Sequence, residues 1–221
     1  MIGPITDFPY LLSQVSDHMS ADRTLPGLNG VYFEACGAYL YAVATDRYTL
    51  AVARRRLDKR PSRPWAVLVG EQELKPLRAF AGFNRHTPLM LTHHHGDDGP
   101  VLTVRAGAQS LAVPGATFQL PGLWARGEWR TLLAEHIHNA PDLRQEIALN
   151  PTLLARWGRS GGADRNTPIT AWTNGPGKPL VIACGTDFLG LHMPVRVSAD
   201  APQRADIVAG WGDLAPTLCA A

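Results

Sequence analysis

Three consecutive histidines, His93, His94 and His95, followed by Asp97 and Asp98, form the densest set of possible metal ligands in the chain. Imidazole and carboxylate bind zinc when a fold converges them on one point. Here they fall between two short apolar runs, and His-Gly-Asp-Asp-Gly is turn chemistry, so a solvated hairpin loop is expected instead. The densest cationic run is Arg54-Arg55-Arg56 with Lys59, Arg60 and Arg63. It could meet phosphate or an acidic protein, but at a strand end and connector a solvated loop is again the expectation. The three cysteines, Cys36, Cys184 and Cys219, lie far apart with no CxxC pair. That spacing argues against a disulfide framework or structural zinc, and for a reducing, cytoplasmic setting. No glycine-rich phosphate loop, G-x-S-x-G elbow or H-E-x-x-H occurs. The residues predict a non-enzymatic protein with no cofactor and no metal.

The chain has 221 residues, of which 45% are hydrophobic and 18% charged. Such a composition supports a buried core and excludes wholesale disorder. No run reaches the ~18 apolar residues of a membrane span, so no membrane association is expected. The first residues carry no basic region followed by an apolar stretch, so a signal peptide is not read there. Net charge is only +2, too little to mark a nucleic-acid binder by composition.

Apolar periodicity gives the elements that must position any site. A helix is expected over residues 7–19 with Asp7 as N-cap, then strands over 30–35, 39–44 and 50–55. A connector over 58–64 leads to a strand over 65–69, a helix over 71–83, and strands over 88–92, 101–106 and 109–113. A third unit is expected to open with a strand over 146–149. Its helix runs over 151–157 with Pro151 at the first turn, and its strands over 169–173, 180–184 and 189–197. The fold class is therefore α+β, built from βαβββ units whose period is roughly 55–80 residues. Two paired units would put two helices on the same face of one continuous sheet. Residues 1–120 form a two-unit domain, 121–145 a linker, 146–198 a third half-domain, and 199–221 a loosely ordered tail.

The segment from Leu28-Asn-Gly through Phe33-Glu34 to Val43-Ala-Thr-Asp-Arg-Tyr-Thr-Leu-Ala-Val52 resembles the middle domain of the bacterial DNA polymerase III β sliding clamp. That family shows L-N-G, F-E and V-A-T-D-G-H-R-L-A at this spacing. Met193-Pro-Val-Arg196 is similar to the family's closing M-P-M-R, and Gly127-Glu-Trp-Arg-Thr-Leu-Leu133 to its P-D-Y-R-R-V-L linker. The three motifs stand in the family's order. Two departures stand out. Arg47-Tyr48-Thr49 replaces the family's Gly-His-Arg, and one half-domain unit stands where the family has a full third domain.

The resemblance implies a DNA-clamp-like replication or repair accessory protein, a processivity factor that encircles or cradles duplex DNA without reading its sequence. It implies a partner-peptide groove for a polymerase or clamp-loader-type protein. One wall of the groove would be Leu28, Thr45, Arg47, Tyr48, Thr49 and Leu50, and the other Leu191, Met193, Pro194, Val195 and Arg196. It also implies helices that face the duplex, where Arg23, Lys75, Arg78, Arg85, Arg156 and Arg159 are the DNA-facing candidates. Lys75 with Arg78, and Arg156 with Arg159, are i,i+3 pairs that share a helix face. Clamp rings contain twelve half-domain units, so a closed ring of chains with three each implies a homo-oligomer of four, the alternative being a monomer or simple dimer. The odd unit needs a mate or a cap, and the apolar stretch from Trp124 to Leu143, with Trp129, Leu132, Leu133 and Ile137, could be the cap. The alternative is a clamp-like interaction module that regulates a polymerase or a host clamp without encircling DNA. A sequence-specific DNA-binding factor is less suited, because no recognition helix is evident.

Overall fold

The computed structural model describes residues 1–141, 147–162, 164, 166–196 and 198. The expected tail over 199–221 and residues 142–146 lie outside the described residues.

The first unit consists of β1 (Ile2–Ile5), α1 (Phe8–Ser16), β2 (Gly30–Cys36), β3 (Tyr39–Thr45) and β4 (Thr49–Arg56). The second unit repeats the order with β5 (Trp65–Gly70), α2 (Glu71–Phe83), β6 (Leu89–Gly96), β7 (Gly99–Ala106) and β8 (Gln109–Pro114). The two units exchange their first strands. β1 leaves its own unit to pair antiparallel with β6, and β5 pairs antiparallel with β2. The result is two sheets, β1-β6-β7-β8 and β5-β2-β3-β4-β11-β10-β9. The expected single continuous sheet is thus corrected, because exchange gives each unit's three later strands a foreign edge strand.

One core fills the space beneath both sheets. From α1 it takes Phe8, Leu11, Leu12 and Val15, and from α2 Leu74, Leu77 and Ala81. Both sets recur at helical spacing, which is why each helix has one apolar stripe. Glu71 and Glu73 in the first turn of α2 suit the positive end of its dipole. Asp7 sits at the N-cap of α1 but makes no capping bond. Its carboxylate accepts instead from Arg55 Nε at 2.6 Å, a tertiary partner that local pattern could not foresee.

Residues 121–141 are more than a linker. They form α3 (Gly122–Ala125) and α4 (Glu128–Ile137), joined through Gly127 at φ 65°. Trp124, Trp129 and Leu133 pack on the outer face of the seven-stranded sheet with Tyr32, Val43 and Val181. The Trp124 indole N–H donates to Gly27 O at 2.5 Å, and its ring stacks on Tyr32 at 4.9 Å. The apolar stretch therefore covers the outer sheet face, including Val181 and Leu191 of the third unit.

The third unit is short of one expected strand. Residues 147–149 form none, and Glu146 is outside the described residues. Helix α5 (Pro151–Ala155) is capped by Asn150 Oδ1, which accepts from Thr152 N at 2.9 Å and Leu153 N at 3.3 Å. It runs into a 3-10 turn, Arg156–Arg159. Strands β9 (Ile169–Thr173), β10 (Leu180–Cys184) and β11 (Phe188–His192) follow, and β11 pairs antiparallel with β4. The last strand ends before Pro194, which has no N–H to give a ladder; the expected extension to 197 is corrected. The histidines are likewise moved. His93, His94 and His95 are strand residues of β6, and His93 stacks on Trp65 at 5.4 Å.

Candidate functional site

The groove candidates start from the β3–β4 turn. Asp46 Oδ1 accepts from Tyr48 N at 3.0 Å and Thr49 N at 2.8 Å, and Thr45 Oγ1 donates to Thr49 O at 2.6 Å. These bonds fix a tight turn in which Arg47, at φ 78°, occupies left-handed backbone that favours glycine. Burial would raise the Asp46 carboxyl, but the Thr49 N–H, the Arg156 guanidinium and the Tyr48 N–H together hold it below its usual range.

Strand β11 brings the second wall alongside. Leu191 stands opposite Leu50 and His192 opposite Thr49. One residue further, Met193 N donates to Tyr48 O at 2.9 Å. The two motif segments, more than a hundred residues apart in sequence, are thus direct neighbours. Their side chains divide into two sets. Leu50 and Leu191 are buried, and Leu28 is half-buried, in the outer cluster with Trp124, Trp129 and Leu133. Thr45 and Thr49 are buried in the turn and Pro194 is half-buried, while Arg47, Tyr48, Met193, Val195 and Arg196 are exposed. Tyr48, Met193 and Val195 are 57%, 40% and 47% exposed, an apolar surface beside two cationic side chains.

The cations expected on the helix side fare differently. Lys75, Arg78 and Arg85 are exposed on or just past α2. Arg85 donates to His86 Nε2 at 3.0 Å. Arg78 and Arg159 both line a cleft of ≈260 Å³ beside α1 with Pro9, Ser13 and Asp17. Arg159 is within 3.1 Å of Asp17, and Arg23 within 3.7 Å of Glu71. Arg156 is turned inward. Its Nη1 lies 2.5 Å from Asp46 Oδ2 and 3.3 Å from Thr49 Oγ1. It locks the turn to the third unit and does not share an exposed face with Arg159.

Two features were not singled out in the sequence. The first is a buried polar knot. The Trp157 indole N–H donates to His192 Nδ1 at 3.0 Å, and His18 stacks on Trp157 at 4.3 Å. Neither ring nitrogen of His18 has a hydrogen-bond partner. Desolvation, helped by the Arg156 charge, pushes the His18 imidazole down to about 3. The second is a pocket of ≈220 Å³ between α4 and strands β3, β4 and β11, lined by Tyr41, Arg54, Trp129, Arg130, Ile137 and Phe188 among others. Arg54 is not a solvated loop residue: it pairs with Asp187 at 3.0 Å and stands over the Tyr39 ring. The odd spacing of arginines against tyrosines on adjacent strands was the available signal. Among the described residues no group of His, Cys, Asp and Glu could hold a metal ion, and no helix is long and apolar enough to cross a membrane.

The fold has known counterparts. Residues 5–87 match the family model described as "DNA polymerase III beta subunit, central domain". A DNA polymerase sliding clamp from Pseudomonas aeruginosa superposes with a TM-score of 0.66 at 14% identity, over 89% of this chain and 66% of that one. A putative DNA polymerase III beta subunit from Eubacterium rectale gives 0.67 at 10% identity, over 89% and 65%. The Thermotoga maritima beta subunit gives 0.63 at 13% identity, over 90% and 65%. The chain thus spans just under two thirds of the length of these solved structures. A comparison with curated proteins gives no match. Residues 5–87 are thus similar to the central domain of the DNA polymerase III beta subunit, and the chain has the fold of the solved sliding clamps.

Proposed function

We propose that this chain is a sliding-clamp-type accessory protein of DNA replication or repair, a scaffold with no catalytic chemistry of its own. The observation that carries the reading is the bond from Met193 N to Tyr48 O. It holds two motif segments together on a clamp fold, with Tyr48, Met193 and Val195 exposed beside Arg47 and Arg196. Exposed aromatic and thioether side chains next to fixed backbone suit capture of a short peptide with apolar anchors. The partner would be a polymerase or clamp-loader-type protein. On the helix side, Lys75, Arg78, Arg85 and Arg159 suit contact with duplex phosphates, which is insensitive to sequence and weakened by salt. Arg23 is exposed as well, but Glu71 at 3.7 Å partly offsets its charge, so it is the weaker member of that set. The division proposed is a two-unit domain over 1–120, a half-domain over 146–198, and an intervening helical segment. The chain would act as a homo-oligomer.

A second reading has specific support in the near-neutral charge of +2. On that reading the chain binds a polymerase or host clamp through the same groove and never encircles DNA. Retention on nicked circular against linear duplex separates the two. A clamp that encircles DNA stays on the circle and slides off free ends, whereas equal loss from both favours the interaction module.

A further inference from the structure

The pocket of ≈220 Å³ beside α4 lies where three parts of the chain meet. The first unit supplies Tyr41, Val52 and Arg54 from β3 and β4, α4 supplies Trp129 and Arg130, and β11 supplies Phe188. It is separate from the Tyr48–Met193 surface. Arg54 N donates to Asp187 O at 2.9 Å, whereas Thr49, beside Tyr48, stands opposite His192 at the other end of the same strand pair. The strand from Thr49 to Arg54 spans about 17 Å at the usual rise.

The walls are in place before anything binds. Val52, Trp129 and Leu133 are buried in the outer cluster and Phe188 in the main core, so close packing holds each side chain where it is. A preformed apolar cavity of ~150 Å³ takes up benzene. At ≈220 Å³ this pocket has room for a ring and a short polar group as well.

The polar part of the lining is rich in donors and poor in acceptors. Each guanidinium carries five N–H groups. Arg54 gives one to Asp187 Oδ1 and one to Thr186 O, and Arg130 gives one to Glu34 Oε1. Arg54 stands over the Tyr39 ring at 4.4 Å, and Arg130 over those of Tyr41 and Trp129 at 4.3 Å. Both heads are thus held in position while their side chains stay 35% and 38% exposed. The Trp129 indole N–H is buried with no hydrogen-bond partner. On the acceptor side, Asp187 is engaged through both oxygens, Oδ1 by Arg54 and Oδ2 by the Thr186 hydroxyl. A ligand matched to such a wall brings acceptors, and beside two arginines the strongest acceptor is a carboxylate.

We propose that this pocket binds a small monocarboxylic acid with an aromatic or branched apolar body. The body lies on Val52, Trp129 and Phe188, and the carboxylate meets the guanidiniums of Arg54 and Arg130. A free organic acid and the C-terminal residue of a peptide share this chemistry. The site takes nothing from the clamp reading. A filled pocket ties α4 and β11 to the sheet of the first unit, so the ligand raises the stability of the chain.

The test is calorimetric titration of the full chain, without DNA, against phenylpropionate, backed by ligand-observed NMR. The expected dissociation constant is below ~1 mM. Phenylpropionamide, equal in shape but uncharged, should bind at least ~10-fold more weakly, and acetate, which lacks the body, should not saturate. Ala134→Phe, which places a ring in the space from α4, should abolish binding in a chain whose fold is checked by circular dichroism. Arg54→Gln with Arg130→Gln should weaken the acid to the level of the amide, and the amide itself keeps the test open if that variant fails to fold. Acetyl-Leu-Phe with a free carboxylate distinguishes the sources. Binding at least ~10-fold tighter than phenylpropionate assigns the site to a chain end, and weaker or equal binding to a free acid. No binding at ~10 mM, equal affinity for acid and amide, or an Ala134→Phe chain that binds like the parent would overturn the proposal. Because no DNA or clamp-binding peptide is present, any of these results leaves the proposed function standing.

Discussion

Trp157 donates its indole N–H to His192 Nδ1 at 3.0 Å while its ring fills the space above Gly190. A Cβ at Gly190 would lie 2.3 Å from the Trp157 ring and 2.9 Å from Leu50 O. The glycine is therefore required by close approach and not by its backbone angle. Gly190→Ala should lower stability by about 2 kcal/mol through overpacking at a site walled by backbone. Urea denaturation with an unchanged m-value checks it.

The same knot sets a pH dependence. Burial keeps His18 neutral, with its pKa lowered to about 3 from 6.5, and burial also lowers that of His192. A group whose charged form is disfavoured in the fold takes up its proton mainly in the unfolded chain. Stability is therefore full above pH ~6.5 and falls as pH drops toward 3, by up to ~1.4 kcal/mol per pH unit for His18 alone. Denaturation midpoints at pH 7.5, 6 and 5 should decline in that order, and His18→Phe should flatten part of the decline. An unchanged slope in that variant would assign the acid sensitivity elsewhere.

Arg156 closes over the Asp46 carboxylate at 2.5 Å, with side-chain exposures of 24% and 10%. Removing the guanidinium leaves a mostly buried charge without its cation. Arg156→Ala should cost about 2 kcal/mol, between the values of exposed and fully buried pairs. A loss under ~0.5 kcal/mol in thermal or urea unfolding would show that solvent replaces it.

Arg47 carries a side chain at φ 78°, where the Cβ crowds the backbone. Arg47→Gly relieves that crowding, about 1–2 kcal/mol, and adds unfolded-state entropy, about 0.4–1 kcal/mol, two opposed terms of unequal size. The net effect should be a gain of about 0.5 kcal/mol. If the turn is part of a peptide groove, the same variant will weaken an acidic peptide by losing the cation, so stability and binding should move in opposite directions.

Tyr48→Ala with Met193→Ala should reduce capture of a clamp-binding peptide by at least ~30-fold, the scale of a truncated hot spot. Retention on DNA should not change. Fluorescence anisotropy with a labelled peptide measures the first and a salt titration on duplex the second. Conversely, Lys75→Glu, Arg78→Glu and Arg159→Glu together should abolish the salt-dependent duplex binding and spare the peptide. Arg156 is left out of that set because its reversal would break the Asp46 pair.

Local chemistry wrote much of this fold into the chain. Helix α2 from Glu71 to Phe83, the strands β9 and β10, and the Pro151 start of α5 follow from apolar period and turn residues. The motif around Leu28 to Val52 falls within the residues that match the central-domain model. What the sequence could not fix was decided by long-range pairing. The destination of β1 and β5 depends on edges contributed by the other unit, and no local period encodes a partner. The side of Leu50 and Leu191 depends on α4 lying across the sheet, which turns expected groove walls into the floor of a second core. Arg156 and Arg159 are i,i+3 neighbours, yet one faces Asp46 and the other Asp17, because a 3-10 turn wedged against α1 sends its charges to whichever carboxylates the packing brings near. Period and propensity act over a few residues. Which charge is buried, and which edge stays open, is settled by residues more than a hundred positions away.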